Sequence, residues 1–427
     1  MKQRLARWIR LARLPQAWAI AGLFLLLAVP PALSPRTDVN YAWDEKEFHL
    51  PSVRRIAEHW PLLDFRDNAL TPMAPGYHWF LAGVSKITGS SPRALRLVNI
   101  LVSLTGLMVL FTWLLGRVGA VDAAFLIAPL ATSNIFIKSS SWVVTDNAAL
   151  VLAVIALLYA LDSRRPGSAI AAAVYGALAT LTRQLYAWLA IPMLCRALLS
   201  ARGRDKAALA WTAASCAIVI VAASLYLMWG GFVAPRWQKF YSPLSIVPLG
   251  YILSLIALFG VFYFPLEADQ FRVRPSWFPS IIAVLGAELL AVIAPTAYDK
   301  AAGRWGGHLW EVARILPAPF DRSIVFIALA PIGMILVIGF FRCIKDSRSP
   351  EQAQVWLAAL AGWSFVYVFD HQVFQRYYEP MILVFLIIGA ASRDSRALKE
   401  GRRRLAVLTI VQMLLTFGTA WWRTFVA

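Results

Sequence analysis

The chain has 427 residues, of which 59% are hydrophobic and only 15% are charged, and it carries a formal net charge of +18. Charged residues make up about a quarter of a typical soluble domain, so this composition excludes a soluble protein and predicts an integral membrane protein. The apolar runs are long and continuous, which predicts an all-α polytopic protein and excludes a barrel of alternating strands. The basic residues are scattered over short connections, which argues against a nucleic-acid-binding surface.

About thirteen apolar runs, give or take one or two, predict helices that cross the membrane. The first run follows a basic start and is interpreted as an uncleaved signal anchor, because further spans follow it. Apart from Glu288, we expect the spans to be free of ionisable side chains. The predicted spans are 16–33, 95–116, 119–137, 147–161, 169–181, 185–200, 207–228, 244–265, 277–297, 323–341, 355–369, 380–391 and 405–421.

Lys and Arg collect in alternate connections, for example in 2–13, 196–206 and 393–404. Basic connections of this kind lie on the cytoplasmic side of a membrane, which predicts a cytoplasmic N-terminus. The two longest connections, 34–94 and 298–322, then lie outside. We therefore expect the polar chemistry of the protein on the extracytoplasmic face.

The first of these outer connections opens with YAWDEKEFHLPS, residues 41–52, an unusual concentration of charge after an apolar run. One interpretation is structural: Asp44 caps a helix and Glu47, three residues later, completes a capping box. The other is catalytic, because a carboxylate at the membrane boundary can act as a general base on an acceptor hydroxyl. We favour catalysis for Asp44, with Glu45 as the second candidate.

An amphipathic helix is predicted next. Leu50, Val53, Ile56, Ala57 and Trp60 recur at helical spacing with charged residues between them. We expect this helix to lie along the membrane surface with its apolar side toward the lipid. The aromatic residues of the following segment, residues 77–80, are interpreted as interface anchors.

Two further polar groups stand at the ends of predicted spans. Asp146 opens the span 147–161, where an acidic residue can simply compensate the helix dipole. Arg183 and Gln184 separate two apolar runs. An arginine in that position can extend toward the membrane surface, or it can bind a phosphate with its fork of donors.

The turn FDHQVFQRYYEP, residues 369–380, is crowded with polar groups. Asp370, His371, Arg376 and Glu379 stand there beside Tyr377 and Tyr378, more than a simple connection needs. The outer segment 298–308 is also basic, but its pattern is vague, and we interpret it as a solvated loop, with substrate contact as the alternative.

These residues resemble a known family, the polyprenyl-phosphate-sugar glycosyltransferases with the GT-C fold. The sequence is most similar to the dolichyl-phosphoglucose α-1,2-glucosyltransferase (Die2-type) family in the first half and again near residue 376. The resemblance departs at Lys46 and Glu47, which are inserted in the acidic cluster, and in the middle loop, which is short here. It is carried by Asp44, Glu45, Phe48 and His49, by Thr71, Pro75, Gly76 and Tyr77, by 144–146, by Arg183 and Gln184, and by 376–378.

The resemblance implies a single transmembrane domain over 1–427 and an inverting displacement at the outer face. Asp44 or Glu45 would be the base, and Arg183 and Arg376 would bind the donor phosphate. Substrate-binding roles are implied for His49, Asp146, Gln184, Tyr377 and Tyr378. The short loops and the Ala-, Leu- and Arg-rich spans suggest a bacterial inner-membrane enzyme, which implies undecaprenyl phosphate as the lipid.

The expected partners are a polyprenyl-phosphate sugar donor, a glycan or lipid-linked acceptor, and membrane lipid. The favoured sugar is a hexose, glucose before mannose, with arabinose and aminoarabinose as alternatives. A divalent metal shared by Asp44 and Asp146 is chemically reasonable but not expected, and the three cysteines offer no metal spacing. The rival function is a transporter or lipid-linked sugar flippase, which would need ionisable residues inside the spans and related halves.

Overall fold

The computed structural model describes residues 14–35, 40–65, 71–162, 165–201, 206–240, 244–264, 278–370 and 372–422. The chain forms two compact units, each treated separately below. Unit 1 comprises Met1–Lys239 and Thr409–Ala427, and unit 2 comprises Phe240–Leu408. The interpretation of 1–427 as one transmembrane domain stays a prediction. Residues 1–13, which carry the predicted basic start, lie outside the described residues.

The described part of the chain is helical throughout apart from turns and one isolated bridge between Asp299 and Arg304, which confirms the all-α prediction. Each of the predicted spans coincides with a helix or a bent helix pair. Among the described residues, seven helices are long and apolar enough to cross a membrane, or eight if the bent pair counts as one span. Three shorter apolar helices add to these, and the full count of about thirteen stays a prediction.

The described part of unit 1 starts with a long apolar helix. In the predicted outer connection, a short helix, a π-helical turn at Glu45–His49 and a third helix follow one another without a break. Its helices are α1 (Pro15–Leu33), α2 (Asn40–Asp44), α3 (Leu50–His59), α4 (Gly76–Thr88), α5 (Pro92–Val118), α6 (Ala120–Thr132), α7 (Asn134–Ser141), α8 (Asp146–Asp162), α9 (Pro166–Thr182), α10 (Ala190–Ala201) and α11 (Lys206–Trp229).

A bundle of α1, α5, α8, α9 and α11 forms the core of unit 1. α6 and α7 are bent by 65° at Ser133, whose hydroxyl accepts a hydrogen bond from the backbone of Phe136 and so caps the second helix. The C-terminal residues return to this bend, because Thr419 donates to the Asn134 side chain at 2.6 Å. Buried polar groups at the bend are thus paired within the protein.

The predicted amphipathic helix forms over Leu50–His59, but it ends before Trp60, which is exposed, and its apolar face does not lie on lipid. Leu50, Val53, Ile56 and Ala57 of α3 are buried against α4, α5 and the start of α8. An apolar stripe lowers its free energy by burial against any apolar partner, and the sequence pattern alone does not distinguish protein from lipid. The expectation of a helix resting on the membrane surface by this face is therefore wrong.

Unit 2 is a second bundle, in which α15 packs against α12, α13, α16 and α17. The close approach of α12 and α15 needs a glycine: a Cβ on Gly333 would lie 2.0 Å from the carbonyl oxygen of Leu253. Its helices are α12 (Val247–Tyr263), α13 (Phe278–Ile293), α14 (His308–Ile315), α15 (Ile324–Ser347), α16 (Pro350–Val366), α17 (Gln375–Ala390) and α18 (Ser395–Thr416), the last of which continues into unit 1.

Candidate active site

A π-helical turn shapes the acidic segment, and the backbone N–H of Leu50 bonds to the carbonyl of Glu45 five residues earlier. The extra residue in this turn brings both Glu45 and His49 into the interior. Asp44 is half-buried and has helical backbone angles with no side-chain cap bond. It therefore does not cap a helix, and the capping-box interpretation of Asp44 and Glu47 is wrong. Its role as the base stays a prediction.

Glu45 is 1% exposed and lies in a buried ion pair with Arg96 of α5, which is 3% exposed. Arg96 donates from Nε to both carboxylate oxygens at 2.9 and 3.0 Å and from Nη2 at 2.6 Å. The backbone N–H of Val143 adds a further donor at 2.7 Å. These bonds occupy the Glu45 carboxylate, so the geometry favours a structural role for Glu45 and leaves Asp44 as the better candidate base.

Arg96 also joins parts of unit 1 that are distant in sequence. Its Nη1 donates to the carbonyls of Ala32 and Ser34 at the end of α1, at 3.1 and 2.9 Å. Its guanidinium lies 3.9 Å from the ring centroid of Trp142. Because all of these groups are buried, the arginine fixes the acidic turn relative to α1, α5 and the segment before α8.

His49 is paired with a histidine that the sequence did not single out. The Nδ1 of His49 lies 2.8 Å from the Nε2 of His78, both rings are buried, and they stack. Burial, and secondarily the neighbouring His49, hold the pKa of the His78 imidazole well below its usual range. A substrate-binding role for His49 stays a prediction.

Asp146 and Arg183 form a second ion pair in unit 1, with Nη1 and Oδ1 2.5 Å apart. Asp146 starts α8, so it also lies at the positive end of that helix dipole. Arg183 is 4% exposed at the break between α9 and a 3-10 turn. The side chain is therefore enclosed by the protein. Phosphate binding by Arg183 stays a prediction.

Gln184 forms hydrogen bonds with the segment that precedes α4. Its side-chain amide donates to the carbonyl of Pro72 at 2.8 Å and accepts from the backbone N–H of Ala74 at 3.1 Å. The chain comes so close here that a Cβ on Gly76 would lie 2.7 Å from the carbonyl oxygen of Leu181. Gly76 and Gln184 are far apart in the sequence, but both allow the segment before α4 to pack closely against residues 181–184.

Four segments identified separately in the sequence therefore form one continuous chain of contacts in unit 1. Glu45 bonds to Val143, three residues before Asp146. Asp146 bonds to Arg183, and the adjacent Gln184 bonds to the 72–74 backbone. Tyr77 extends the network, because its hydroxyl donates to Asn99 at 2.9 Å and the Asn99 amide donates to the carbonyls of Ser139 and Trp142.

The remaining predicted site residues lie in unit 2. Arg376 is half-buried and donates from Nη2 to the hydroxyl of Tyr377 at 2.9 Å, while Tyr378 is fully buried among aromatic rings. Gln375 donates to Glu379 at 2.6 Å. His371 lies outside the described residues. The role of Arg376 in binding the donor phosphate and the roles of Tyr377 and Tyr378 in substrate binding stay predictions.

The outer segment 298–308 is more ordered than the predicted solvated loop. Arg304 is buried and binds the carboxylates of Asp321 at 3.0 Å and Asp299 at 3.3 Å. Backbone N–H bonds to its carboxylate, chiefly from Ala302, lower the pKa of Asp299 below its usual value. Arg304 therefore organises the loop from within.

The sequence analysis missed Arg96, Asn99 and His78. The expectation that the spans are free of ionisable residues apart from Glu288 is wrong, because Arg96 lies inside the predicted span 95–116 and is buried. An arginine and an asparagine near the start of an apolar run are the signal that could have found this network. Within the described residues, no group of three or more His, Cys, Asp or Glu side chains is arranged to hold a metal ion.

Part of the chain is similar to a known protein family. Residues 72–229 match the sequence model of a family described as dolichyl-phosphate-mannose-protein mannosyltransferase. No curated protein matches the chain. Two solved structures of ArnT from Cupriavidus metallidurans are similar to this chain, each with a TM-score of 0.40. The apo structure is 14% identical, and the match covers 92% of this chain and 76% of the ArnT chain. The structure bound to undecaprenyl phosphate is 15% identical, and the match covers 93% of this chain and 78% of the ArnT chain.

The matched residues 72–229 contain Asp146, Arg183 and Gln184, the central members of the contact chain in unit 1. The surrounding architecture is helical and apolar, as a membrane enzyme requires. Residues 72–229 are thus similar to a mannosyltransferase family, and among the described residues at least seven helices are long and apolar enough for an integral membrane protein.

Proposed function

We propose that the protein transfers a sugar from a polyprenyl-phosphate donor to a hydroxyl of a glycan or lipid-linked acceptor, with inversion at the anomeric carbon. The observation that carries the proposal is the chain of contacts in unit 1, which joins the acidic turn to the Asp146–Arg183 pair inside the family-matched region. The family description, which names a polyprenyl-type phosphate sugar as donor, supports the donor class.

In the proposed reaction, the acceptor oxygen attacks the anomeric carbon as the bond from that carbon to the phosphate oxygen breaks. Asp44 takes the proton of the acceptor hydroxyl, and polyprenyl phosphate leaves with the bonding electrons. Asp44 suits this task because it is half-buried beside a carboxylate that Arg96 already neutralises. Arg183 would stabilise the negative charge that grows on the phosphate.

Glucose is the sugar we favour, on the resemblance of the acidic motif to the dolichyl-phosphoglucose transferases. Mannose, arabinose and aminoarabinose remain open, and the description of the matched family names mannose. Undecaprenyl phosphate as carrier, a bacterial inner membrane, a cytoplasmic N-terminus and an extracytoplasmic site belong to the same proposal. It includes no cofactor and no metal.

The test is the release of polyprenyl phosphate from synthetic donors carrying each of these sugars, with purified protein in liposomes. Asp44→Asn should retain donor binding but lose turnover by roughly 10²- to 10⁴-fold, the contribution of a general base. Glu47→Gln is the matched control, because Glu47 is exposed in the same turn, and it should behave as the native protein.

Two results would overturn the proposal. If the donor crosses the liposome membrane without being consumed, the protein is a transporter or flippase. If Asp44→Asn turns over at the native rate, Asp44 is not the base. Repeating the native assay with a chelator tests the expected independence from metal, since loss of activity there would show that a divalent ion takes part.

The role of Arg183 has its own test, because Asp146 and a donor phosphate would compete for the same guanidinium. Asp146→Asn removes the charge that holds Arg183, and the affinity for the donor should rise or stay native while Arg183→Gln weakens it. If both variants lose affinity equally and both unfold more easily, the pair is structural only.

A further inference from the structure

An unusual backbone marks the end of the 298–322 connection in unit 2. Phe320 and Asp321 have φ values of 52° and 64°, and within the described ranges no other non-glycine residue has a positive φ. Left-handed backbone is unfavourable for residues with a Cβ, and it persists where surrounding bonds determine it.

Asp321 and Arg322 make the hydrogen bonds that hold this backbone conformation. The carbonyl of Asp321 accepts from the backbone N–H groups of Thr296 and Ala297 at 2.9 and 3.1 Å, and Arg304 binds its carboxylate. Arg322 donates from Nε to the carbonyl of Val292 at 3.0 Å, and its Nη1 donates to the carbonyl of Phe320. The turn is therefore rigidly attached to the C-terminal end of α13.

This rigid turn holds an apolar side chain away from the protein. Phe320 is 90% exposed, Ile315 is 74% exposed, and Leu316 is also exposed. We call these three residues the tip. Exposed apolar surface of this size in water is unfavourable, and its presence on a strained and braced turn indicates a contact outside unit 2.

The turn that carries Phe320 adjoins an exposed apolar surface of α13, which coincides with the predicted span 277–297. Arg322 bonds to the carbonyls of Val292 and Ile293, and the side chains of both residues are exposed, as is that of Leu289 one turn earlier. Apolar side chains exposed on a spanning helix face acyl chains. The guanidinium of Arg322 lies at the C-terminal end of α13, where a cation suits both the helix dipole and headgroup phosphates.

We propose that Ile315, Leu316 and Phe320 are seated in the leaflet at the C-terminal end of α13 and contact the acyl chains of bilayer lipid there. The other end of the same loop is docked next to Arg376, because Trp310 donates to the carbonyl of Val373 at 2.6 Å and the Leu309 N–H donates to Gln375 at 3.1 Å. If the tip lies in lipid, the rigid loop therefore determines the depth at which residues 373–375, just before Arg376, lie relative to the membrane.

The test is the depth of a nitroxide spin label in liposomes of phosphatidylcholine and phosphatidylglycerol. Cys195, Cys216 and Cys343 are first replaced by serine, and single cysteines are then placed by Phe320→Cys, by Leu289→Cys as the lipid reference, and by Ala301→Cys as the exposed control in the same loop. Relaxation by oxygen, which concentrates in lipid, is compared with relaxation by a water-soluble nickel chelate.

The label at 320 should resemble the label at 289, with relaxation dominated by oxygen, while the label at 301 responds to nickel. Ile315→Cys gives an independent second reading of the tip if Phe320→Cys reconstitutes poorly. Nickel-dominated relaxation at both 315 and 320 would overturn the proposal. The measurement involves no sugar transfer, so its outcome is separate from that of the proposed function.

Discussion

Arg96 and Glu45, 51 positions apart in the chain, form a buried ion pair with three N–H···O contacts between 2.6 and 3.0 Å. The pair links the acidic turn of the candidate active site to a helix in the core of unit 1. A buried ion pair need not stabilise a fold more than apolar residues of the same shape would, but removing one partner leaves the other charge uncompensated.

Arg96→Met is therefore expected to destabilise unit 1 by about 3–5 kcal/mol, because it leaves the Glu45 carboxylate buried without its partner. Arg396→Met is the control, since Arg396 is exposed and pairs with Glu400 at 3.1 Å, and exposed pairs contribute at most about 1 kcal/mol. Thermal unfolding in detergent measures both. Equal unfolding temperatures for the two variants would contradict the importance that we assign to Arg96.

Gln184→Ala should loosen the segment before α4, because the N–H of Ala74 and the carbonyl of Pro72 lose their partner. A buried group left without its bond costs about 1–3 kcal/mol. Hydrogen exchange over residues 71–76 should become faster, whereas exposed Gln372→Ala should leave it unchanged. Native exchange rates in Gln184→Ala would show that other contacts hold this segment.

Gly76→Ala tests the close approach to α9. The added methyl group meets the carbonyl oxygen of Leu181 at 2.7 Å and its carbonyl carbon at 2.9 Å, and backbone atoms have little freedom to move. We expect a loss of about 1–3 kcal/mol from this overpacking. Gly22→Ala in α1, where a Cβ meets nothing within 4 Å, should be neutral or stabilising. Thermal unfolding in detergent measures both variants. Similar changes in unfolding temperature for Gly76→Ala and Gly22→Ala would argue against a tight contact between Gly76 and Leu181.

The buried His49–His78 pair predicts a specific pH dependence. The folded protein lowers the pKa of His78, so the unfolded chain, with a histidine pKa near 6.5, binds more protons in the window between the two values. The contribution to stability is then fully present above about pH 6.5 and decreases as the pH falls toward the folded value.

The unfolding temperature should accordingly fall between pH 7.5 and pH 5.5, and His78→Phe should make that fall smaller. Exposed His59→Gln should leave it as in the native protein. Asp299 affects stability in a different pH range, because its pKa is lowered in the folded protein. Its contribution to stability is present above about pH 4 and is lost as the pH falls below that value. If the unfolding temperature of His78→Phe falls with pH as steeply as that of the native protein, groups other than His78 cause the pH dependence of stability.

The order of the helices was predictable from the sequence, because lipid requires long apolar runs whose backbone groups bond internally. Every predicted span coincides with a helix or a bent helix pair, and the polar segments 144–146 and 183–184 lie at the ends of helices. Glu45, Asp146 and Arg183 were singled out in the sequence, and each of them lies in a buried or partly buried ion pair.

The pairing of those residues was decided only by the tertiary structure. Asp44 and Glu45 are adjacent carboxylates in the sequence, and the π-helical turn leaves Asp44 half-buried while Glu45 becomes the partner of Arg96. The apolar face of α3 has the same pattern whether it meets lipid or α4. Sequence periodicity determines which residues share a face of a helix, whereas the neighbour of that face depends on packing between segments far apart in the chain.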